Sequence, residues 1–188
     1  MVEVRAAEVS RSRARWVPLA STFLVTAIVL AVSVGWSWLL LGFVAVAFAT
    51  WPLIDADVSE HRLPNKIVLP CYPIAVVGLA VHSIVTGDSP ALAVIASLGC
   101  VTVFALMHFL GGMGMGDVKL VGVLALLLGS LGVTALMVGF ASAFLFGAVA
   151  GGWAMATQHR AATHRIPFGP FLLVGFWLGV LAPALRQG

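Results

Sequence analysis

Long apolar runs, separated by short polar or glycine-containing segments, follow one another along almost the whole chain. Because a helix needs about 20 apolar residues to cross the hydrocarbon core of a bilayer, the runs predict about seven membrane-spanning helices. They cover approximately residues 16–34, 36–54, 67–85, 90–110, 118–131, 133–157 and 166–185. Of the 188 residues, 61% are apolar and only 9% are charged, which excludes both an ordinary water-soluble domain and a disordered chain. The predicted fold is therefore an all-α polytopic membrane bundle.

The basic residues predict which side of the membrane each connection faces. Nine of the ten fall on the side of the N-terminus: Arg5, Arg11, Arg13, Arg15, Arg62, Lys66, Lys119, Arg160 and Arg165. Only Arg186 falls on the other side. The positive-inside rule therefore predicts a cytoplasmic N-terminus and an outer C-terminus. The net charge of +3 is explained by this orientation, and no nucleic-acid partner is expected.

The same pattern predicts one integral membrane domain over residues 1–188, with a cytoplasmic basic tail at 1–15 and a helical bundle at 16–185. A basic stretch before an apolar run is also typical of a cleavable signal peptide. Because a second full-length apolar run follows at once, we expect the first helix to be retained. Three connections are then expected on the cytoplasmic side: 55–66, 111–117 and 158–165. The basic segment 158–165 is interpreted as an anchor at the membrane surface.

Four of the seven acidic residues lie where helices are predicted to meet the cytoplasmic face: Asp55, Asp57, Glu60 and Asp117. An acidic side chain within or near the hydrocarbon is costly, and it is a candidate functional group for that reason. The other three acidic residues, including Asp88 in an outer turn, are expected to be solvated. The functional carboxylates are therefore sought in the connections 55–66 and 111–117.

Asp117 closes a glycine-rich segment and begins a short predicted helix that ends near Gly129 or Gly132. At 1.5 Å per residue, a helix of about 14 residues spans about 21 Å, which is less than the bilayer core of about 30 Å. Either the helix continues past Gly129, or Asp117 lies below the membrane surface in a protein-lined cavity, where glycines allow another backbone to approach closely. Helix N-capping is the plainer interpretation of Asp117 and is compatible with catalysis.

A second carboxylate has to come from the connection 55–66, and spacing alone does not choose between Asp55 and Asp57. Two carboxylates that share a cavity cannot both ionise cheaply, so the pair holds a single proton. Such a pair activates a water molecule as a general base while the protonated partner polarises a carbonyl. This chemistry hydrolyses a peptide bond without a cofactor, and no cluster with metal-ligand spacing is expected from Cys71 or Cys100.

The segment around Asp117 resembles the type IV prepilin peptidases, which are membrane aspartic proteases of the GxGD class. Gly114 and Gly116 precede Asp117, and Lys119 follows it, in an order similar to the family's GxGD-V-K-L signature. The resemblance implies that Asp117 is one of two catalytic aspartates. It also implies that the glycines and the lysine bind substrate or shape the site.

Two further segments carry the same resemblance, which covers about residues 36–185. In the first, Asp57 is followed after six residues by Pro64 and Asn65, which matches the family's spacing and selects Asp57 over Asp55 as the second catalytic aspartate. The second is similar to the Pro-Phe-Gly-Pro segment at the start of the family's last helix. Its matched residues are Pro167, Gly169 and Pro170. The resemblance implies that these residues, like Pro64 and Asn65, bind substrate or shape the site, and that the two prolines Pro167 and Pro170 hold the last helix beside Asp117.

The family cleaves prepilin-like precursors at the cytoplasmic face of the membrane, just after a glycine that precedes the apolar stem. The resemblance therefore implies a multi-pass protein of the inner, cytoplasmic membrane whose partners are a prepilin or pseudopilin precursor and the lipid bilayer. Larger members carry a cytosolic insertion with paired Cys-x-x-Cys motifs and also N-methylate the new terminus. Here only Gly35 separates the first two helices and no such motif occurs. A short peptidase without methyltransferase activity, like those serving Flp/Tad-type pili, is expected.

A proton-coupled transporter is the main alternative, since intramembrane acids also serve as proton relays. Discontinuous helices in matching halves would favour a transporter, and the two aspartates do not lie in repeated segments. His108 lies nine residues before Asp117 and is expected to be a packed, hydrogen-bonded side chain, although a role in tuning the aspartates stays open.

Overall fold

A computed structural model of the chain describes residues 22, 24–30, 33–34, 36–111, 113–158 and 167–185. The regular structure within these residues is entirely helical, which confirms the predicted all-α membrane bundle. Helix α1 is described over residues 24–30. The helices that follow are α2 (Leu40–Glu60), α3 (Asn65–Thr86), α4 (Ala91–Phe109), α5 (Met115–Leu131), α6 (Val133–Gln158) and α7 (Gly169–Leu185). The predicted basic tail, the basic connection after residue 158 and Arg186 lie outside the described residues.

Four of the described helices are long and apolar enough to cross a membrane: α2, α3, α4 and α6. Helices α5 and α7 have 17 residues each, or about 25 Å at 1.5 Å per residue. Many large apolar side chains of the longer helices are exposed, as expected of surfaces that contact lipid. The short helices lie between the longer ones or against them.

Helix α5 is the centre of the bundle. Every residue from Leu120 to Gly129 is buried, and the helix packs against α3, α4, α6 and α7. A helix that is surrounded by protein has to be apolar on all sides, which is the composition of this segment. The sequence predicts a span over residues 118–131; the structure ends the helix at the same Leu131, past Gly129, but begins it three residues earlier at Met115.

Helix α2 extends six residues beyond the predicted end at 54, because the apolar run stops there but the helical hydrogen bonding does not. His61 ends the helix with a left-handed φ of 52°, and its N–H donates to the Asp57 carbonyl oxygen at 3.0 Å. The sequence places Asp55 and Asp57 after the helix, and this is wrong: both lie within its final turns. Their side chains therefore point in different directions, and only that of Asp57 is buried.

The end of α2 and the beginnings of α3, α5 and α7 come together at one end of the bundle, which we call the site end. At the opposite end, which we call the far end, residues 87–90 connect α3 to α4 and Gly132 separates α5 from α6. The connections therefore bring the segments 55–66, 113–117 and 167–170 to the same end.

Candidate active site

Two buried carboxylates mark the site end. Asp57 is 5% exposed and Asp117 is 8% exposed, and they are the only charged side chains that are buried within the described part of the chain. Asp55 is exposed, and so is Glu60. Because burying a charged group is costly unless the group is neutralised or hydrogen-bonded, the pair calls for a functional explanation.

Asp57 is held by the first residue of α7. The Gly169 N–H donates to Asp57 Oδ2 at 2.9 Å, as expected where the N–H groups at the beginning of a helix meet a carboxylate. A Cβ at residue 169 would lie 2.7 Å from the same oxygen, so only glycine allows this approach. The sequence predicts that the beginning of α7 lies beside Asp117. Helix α7 packs against both α2 and α5, and the hydrogen bond of its first residue is made to Asp57.

Asp117 lies in the first turn of α5, with its own N–H donating to the Gly114 carbonyl oxygen at 3.1 Å. The N-cap residue of the helix is Gly114, so the N-capping interpretation of Asp117 is wrong. Within the described residues, Asp117 Oδ1 is buried and has no hydrogen-bond partner. An unpaired buried carboxylate oxygen is costly, and it marks the place where a water molecule or a substrate group would bind.

Leu63 packs against two helix beginnings at the site end. A Cβ at Gly116 would lie 2.8 Å from the Leu63 Cβ, and a Cβ at Gly169 would lie 3.3 Å from its Cδ2. The buried Leu63 side chain therefore contacts the beginnings of α5 and α7, next to Asp117 and Asp57. The Asp57 carboxylate is close enough to act electrostatically on Asp117. Two aspartates 60 positions apart in the sequence thus converge on one buried region.

Lys119 and Asn65, both predicted to bind substrate or shape the site, are hydrogen-bonded to each other: Lys119 Nζ donates to Asn65 Oδ1 at 3.1 Å. Pro64 is the N-cap residue of α3 in an extended conformation, so it fixes where Asn65 begins the helix. The Lys119 carbonyl oxygen accepts a hydrogen bond from the Tyr72 hydroxyl at 2.6 Å. These residues connect α3 to the beginning of α5.

The segment before α7 is attached to α6. Pro167 and Pro170 flank the first residue of α7, and Pro170 lies in the first turn, where its missing N–H costs nothing. The Phe168 ring packs against Phe144 of α6 with ring centroids 5.6 Å apart, and it also lies against Gly147. This packing holds the beginning of α7, and therefore Gly169, at the site.

His108 is hydrogen-bonded, as expected, but its partner is the glycine-rich segment rather than an aspartate. Its Nδ1 lies 2.8 Å from the Met113 carbonyl oxygen, which links the end of α4 to the approach to α5. Among the described residues, no group of three or more His, Cys, Asp or Glu is placed to hold a metal ion. The chemistry that the site offers is that of the two carboxylates.

Two residues of the site were missed by sequence reasoning. Leu63 had only a weak signal, which was its apolar side chain directly before Pro64 in a largely charged segment. Tyr72 gave no local signal beyond being the single tyrosine of the chain. Both act through contacts between helices that are distant in the sequence, and no short motif records such contacts.

An apolar groove with a volume of about 400 Å³ lies beside the site, between α1, α2 and α7. None of the side chains that line it is charged, and its polar members are threonines and Trp177, whose Nε1–H donates to Thr50 Oγ1 at 3.2 Å. Ile54 and Leu173 also line the groove. They lie about one helical turn from Asp57 and Gly169, so one end of the groove is near the site.

Comparison with known proteins identifies a family. A model of the type IV leader peptidase family matches residues 54–152, which is more than half of the chain and includes both Asp57 and Asp117. No match was found among curated proteins or solved structures. The family match, together with the apolar helical bundle, shows that this polytopic membrane protein belongs to the type IV leader peptidase family.

Proposed function

We propose that the chain is an aspartic endopeptidase that removes the leader from type IV prepilin-like precursors at the cytoplasmic face of the inner membrane. The observation that carries the proposal is the convergence of Asp57 and Asp117, which are buried on two separate helices, beside Gly169 and Gly116 that both lie against Leu63. Membership of a peptidase family supports hydrolysis, and it lends no support to the proton-coupled transporter considered from the sequence.

In the proposed mechanism, one aspartate is ionised and the other is protonated. We assign the ionised role to Asp57, because the Gly169 N–H bond favours a charged carboxylate there. Asp57 takes a proton from a water molecule, and the water oxygen attacks the scissile carbonyl carbon. Asp117 donates its proton to the carbonyl oxygen, which gives a gem-diol. As the C–N bond breaks, the proton held by Asp57 passes to the leaving nitrogen and one hydroxyl of the gem-diol returns its proton to Asp117. No covalent intermediate with the protein is formed.

The groove between α1, α2 and α7 is the proposed seat of the precursor's apolar stem. An uncharged groove suits an apolar helix, and its end beside Ile54 and Leu173 would present the cleavage site to Asp57. The positive-inside distribution of Arg and Lys supports the cytoplasmic placement of the reaction. The single glycine between the first two apolar runs supports a peptidase that does not methylate its product.

The test is cleavage of a prepilin-like precursor by the purified full-length protein in lipid nanodiscs, followed by mass spectrometry of the product. We expect a single cut after the glycine that precedes the stem, and an unmethylated new N-terminus even when S-adenosylmethionine is present. Asp117→Asn should remove cleavage, whereas Asp55→Asn, an exposed neighbour of Asp57, should retain it. Cleavage by Asp117→Asn at the wild-type rate would overturn the proposal.

A further inference from the structure

Lys119 is held by α3 at both its backbone and its side chain. The Tyr72 hydroxyl donates to the Lys119 carbonyl oxygen at 2.6 Å, and Lys119 Nζ donates to Asn65 Oδ1 at 3.1 Å. Asn65 and Tyr72 are seven residues apart on α3, so they lie on the same face about two turns from each other. Since Lys119 follows Asp117 by only two residues, α3 holds α5 directly beside the catalytic turn.

The Tyr72 hydroxyl reaches the α5 backbone because residue 122 is glycine. A Cβ at Gly122 would overlap the hydroxyl oxygen, so no other residue leaves room for it. The Lys119 carbonyl oxygen that the hydroxyl binds is also the acceptor expected for the Val123 N–H in an α-helix. Lys119 and Val123 are four residues apart, which is the spacing of one hydrogen-bonded step of an α-helix. Tyr72 is therefore bound at one particular step of α5, and a side chain placed there influences the local direction of the helix.

One carboxylate oxygen of Asp117 is not fixed by a hydrogen bond. The residues before α5 are the glycine-rich segment, and Asp117 Oδ1 has no hydrogen-bond partner among the described residues. We propose that Asn65, Tyr72 and Lys119 form a clamp that positions Asp117 relative to Asp57, with Tyr72 as the principal positioning residue. Tyr72 acts through the backbone of α5 and does not touch the reacting atoms.

This positioning role rests on the proposed function, and it falls to Tyr72, which lies outside the motifs that resemble those of the family. Misplacing a reacting group by about 1 Å can reduce the rate of catalysis on the order of a hundredfold. Loss of the clamp should therefore reduce kcat. The binding of the precursor's stem should change little, because Tyr72 lies between α3 and α5 and the groove lies between α1, α2 and α7.

The experiment measures kcat and KM for Tyr72→Phe, which retains the ring and removes the hydroxyl. We expect kcat to fall about tenfold, with KM and the melting temperature nearly unchanged. Gly122→Ala should give a fall at least as large, since the added Cβ displaces the hydroxyl and also lies 2.8 Å from Val101 Cγ2 on α4. The combined variant should lose little more than Gly122→Ala alone, because both changes remove the same hydrogen bond.

The matched control is Ser97→Ala. Ser97 Oγ donates to the Gly122 carbonyl oxygen at 2.8 Å, so this variant also removes a hydroxyl bond to the α5 backbone, but from α4. We expect its kcat to stay close to that of the wild type. A wild-type kcat in both Tyr72→Phe and Gly122→Ala, or an equal loss in Ser97→Ala, would overturn the clamp while leaving the peptidase intact. Absence of cleavage by the wild-type protein would overturn the proposed function, and the clamp with it.

Discussion

The two ends of the bundle both carry carboxylates, but in opposite environments. At the site end, Asp57 and Asp117 are buried on two separate helices. At the far end, the Asp88 side chain is 72% exposed and lies 3.6 Å from His82 Nε2. The His82 Nδ1 is in turn 3.2 Å from the Ser37 hydroxyl oxygen. A carboxylate in water costs little to keep, so the far end needs no functional explanation, whereas the buried pair does.

Glycine is also used differently at the two ends. At the site end, Gly116 and Gly169 allow close approach, since a Cβ at either would press on Leu63 or Asp57. At the far end, Gly87 and Gly132 have φ angles of 80° and 108° and open space around them, so they serve the turns between helices. Gly116 and Gly169 are therefore sensitive to added volume, whereas Gly87 and Gly132 are sensitive to backbone conformation.

The contrast between the two ends predicts that a substitution at Gly169 will lower kcat more than the other substitutions below. In Gly169→Ala, the added Cβ would press on Asp57 Oδ2, so the beginning of α7 or the carboxylate has to shift. We expect kcat to fall on the order of a hundredfold. The control is Gly99→Ala in the middle of α4, where a Cβ meets nothing within 4 Å. It should leave kcat unchanged and stabilise the protein by up to about 1 kcal/mol. Equal kcat of the two variants would show that the close approach of Gly169 to Asp57 does not matter for activity.

A smaller effect is expected in the groove. Val174→Trp fills part of the groove beside α7 and should raise KM for the precursor about tenfold, a loss of about 1.4 kcal/mol of binding. The matched control is Val94→Trp, since Val94 is similarly exposed (43% against 46%) but lies on α4, away from the groove. Initial-rate measurements over a range of precursor concentrations separate KM from kcat. A raised KM in both variants would point to a general effect of bulk on the lipid-facing surface.

The smallest effect is expected at the far end. Asp88→Asn removes the charge that faces His82, and an exposed ion pair contributes about 0–1 kcal/mol. We expect kcat to be unchanged and the free energy of unfolding to fall by no more than that amount. Thermal unfolding and precursor cleavage measured on the same preparation test both expectations. A large loss of cleavage would show that the far end participates in the reaction.

Much of the fold could be predicted from the sequence, because apolar runs report helices directly. The all-α bundle follows from them, but the ends of the helices do not. The apolar run of α2 stops at residue 54, while its hydrogen bonding continues to His61, and this extension decides that Asp57 faces inward and Asp55 outward. Polar residues in the last turns of a helix carry no periodic signal of their own, so a prediction based on apolar runs ends α2 too early.

The site was predictable to the extent that it lies in short motifs. The motif spacing draws attention to Asp57 and Asp117, and the structure places both in one buried region. The hydrogen bond from Gly169 to Asp57, 112 residues apart, could not be derived from spacing. Leu63 and Tyr72 were missed for the same reason. Such contacts depend on which helices pack together, and local patterns do not record that.

Asp57 and Asp117 are proposed to act as one catalytic unit. A double-variant cycle on the rate of precursor cleavage tests this claim. Purified Asp57→Asn, Asp117→Asn and the double variant are compared with the wild type under single-turnover conditions. We expect each single variant to lose on the order of a thousandfold or more, and the double variant to lose no more than the worse single variant. Independent losses that multiply in the double variant, or a single variant that cleaves at the wild-type rate, would contradict the claim.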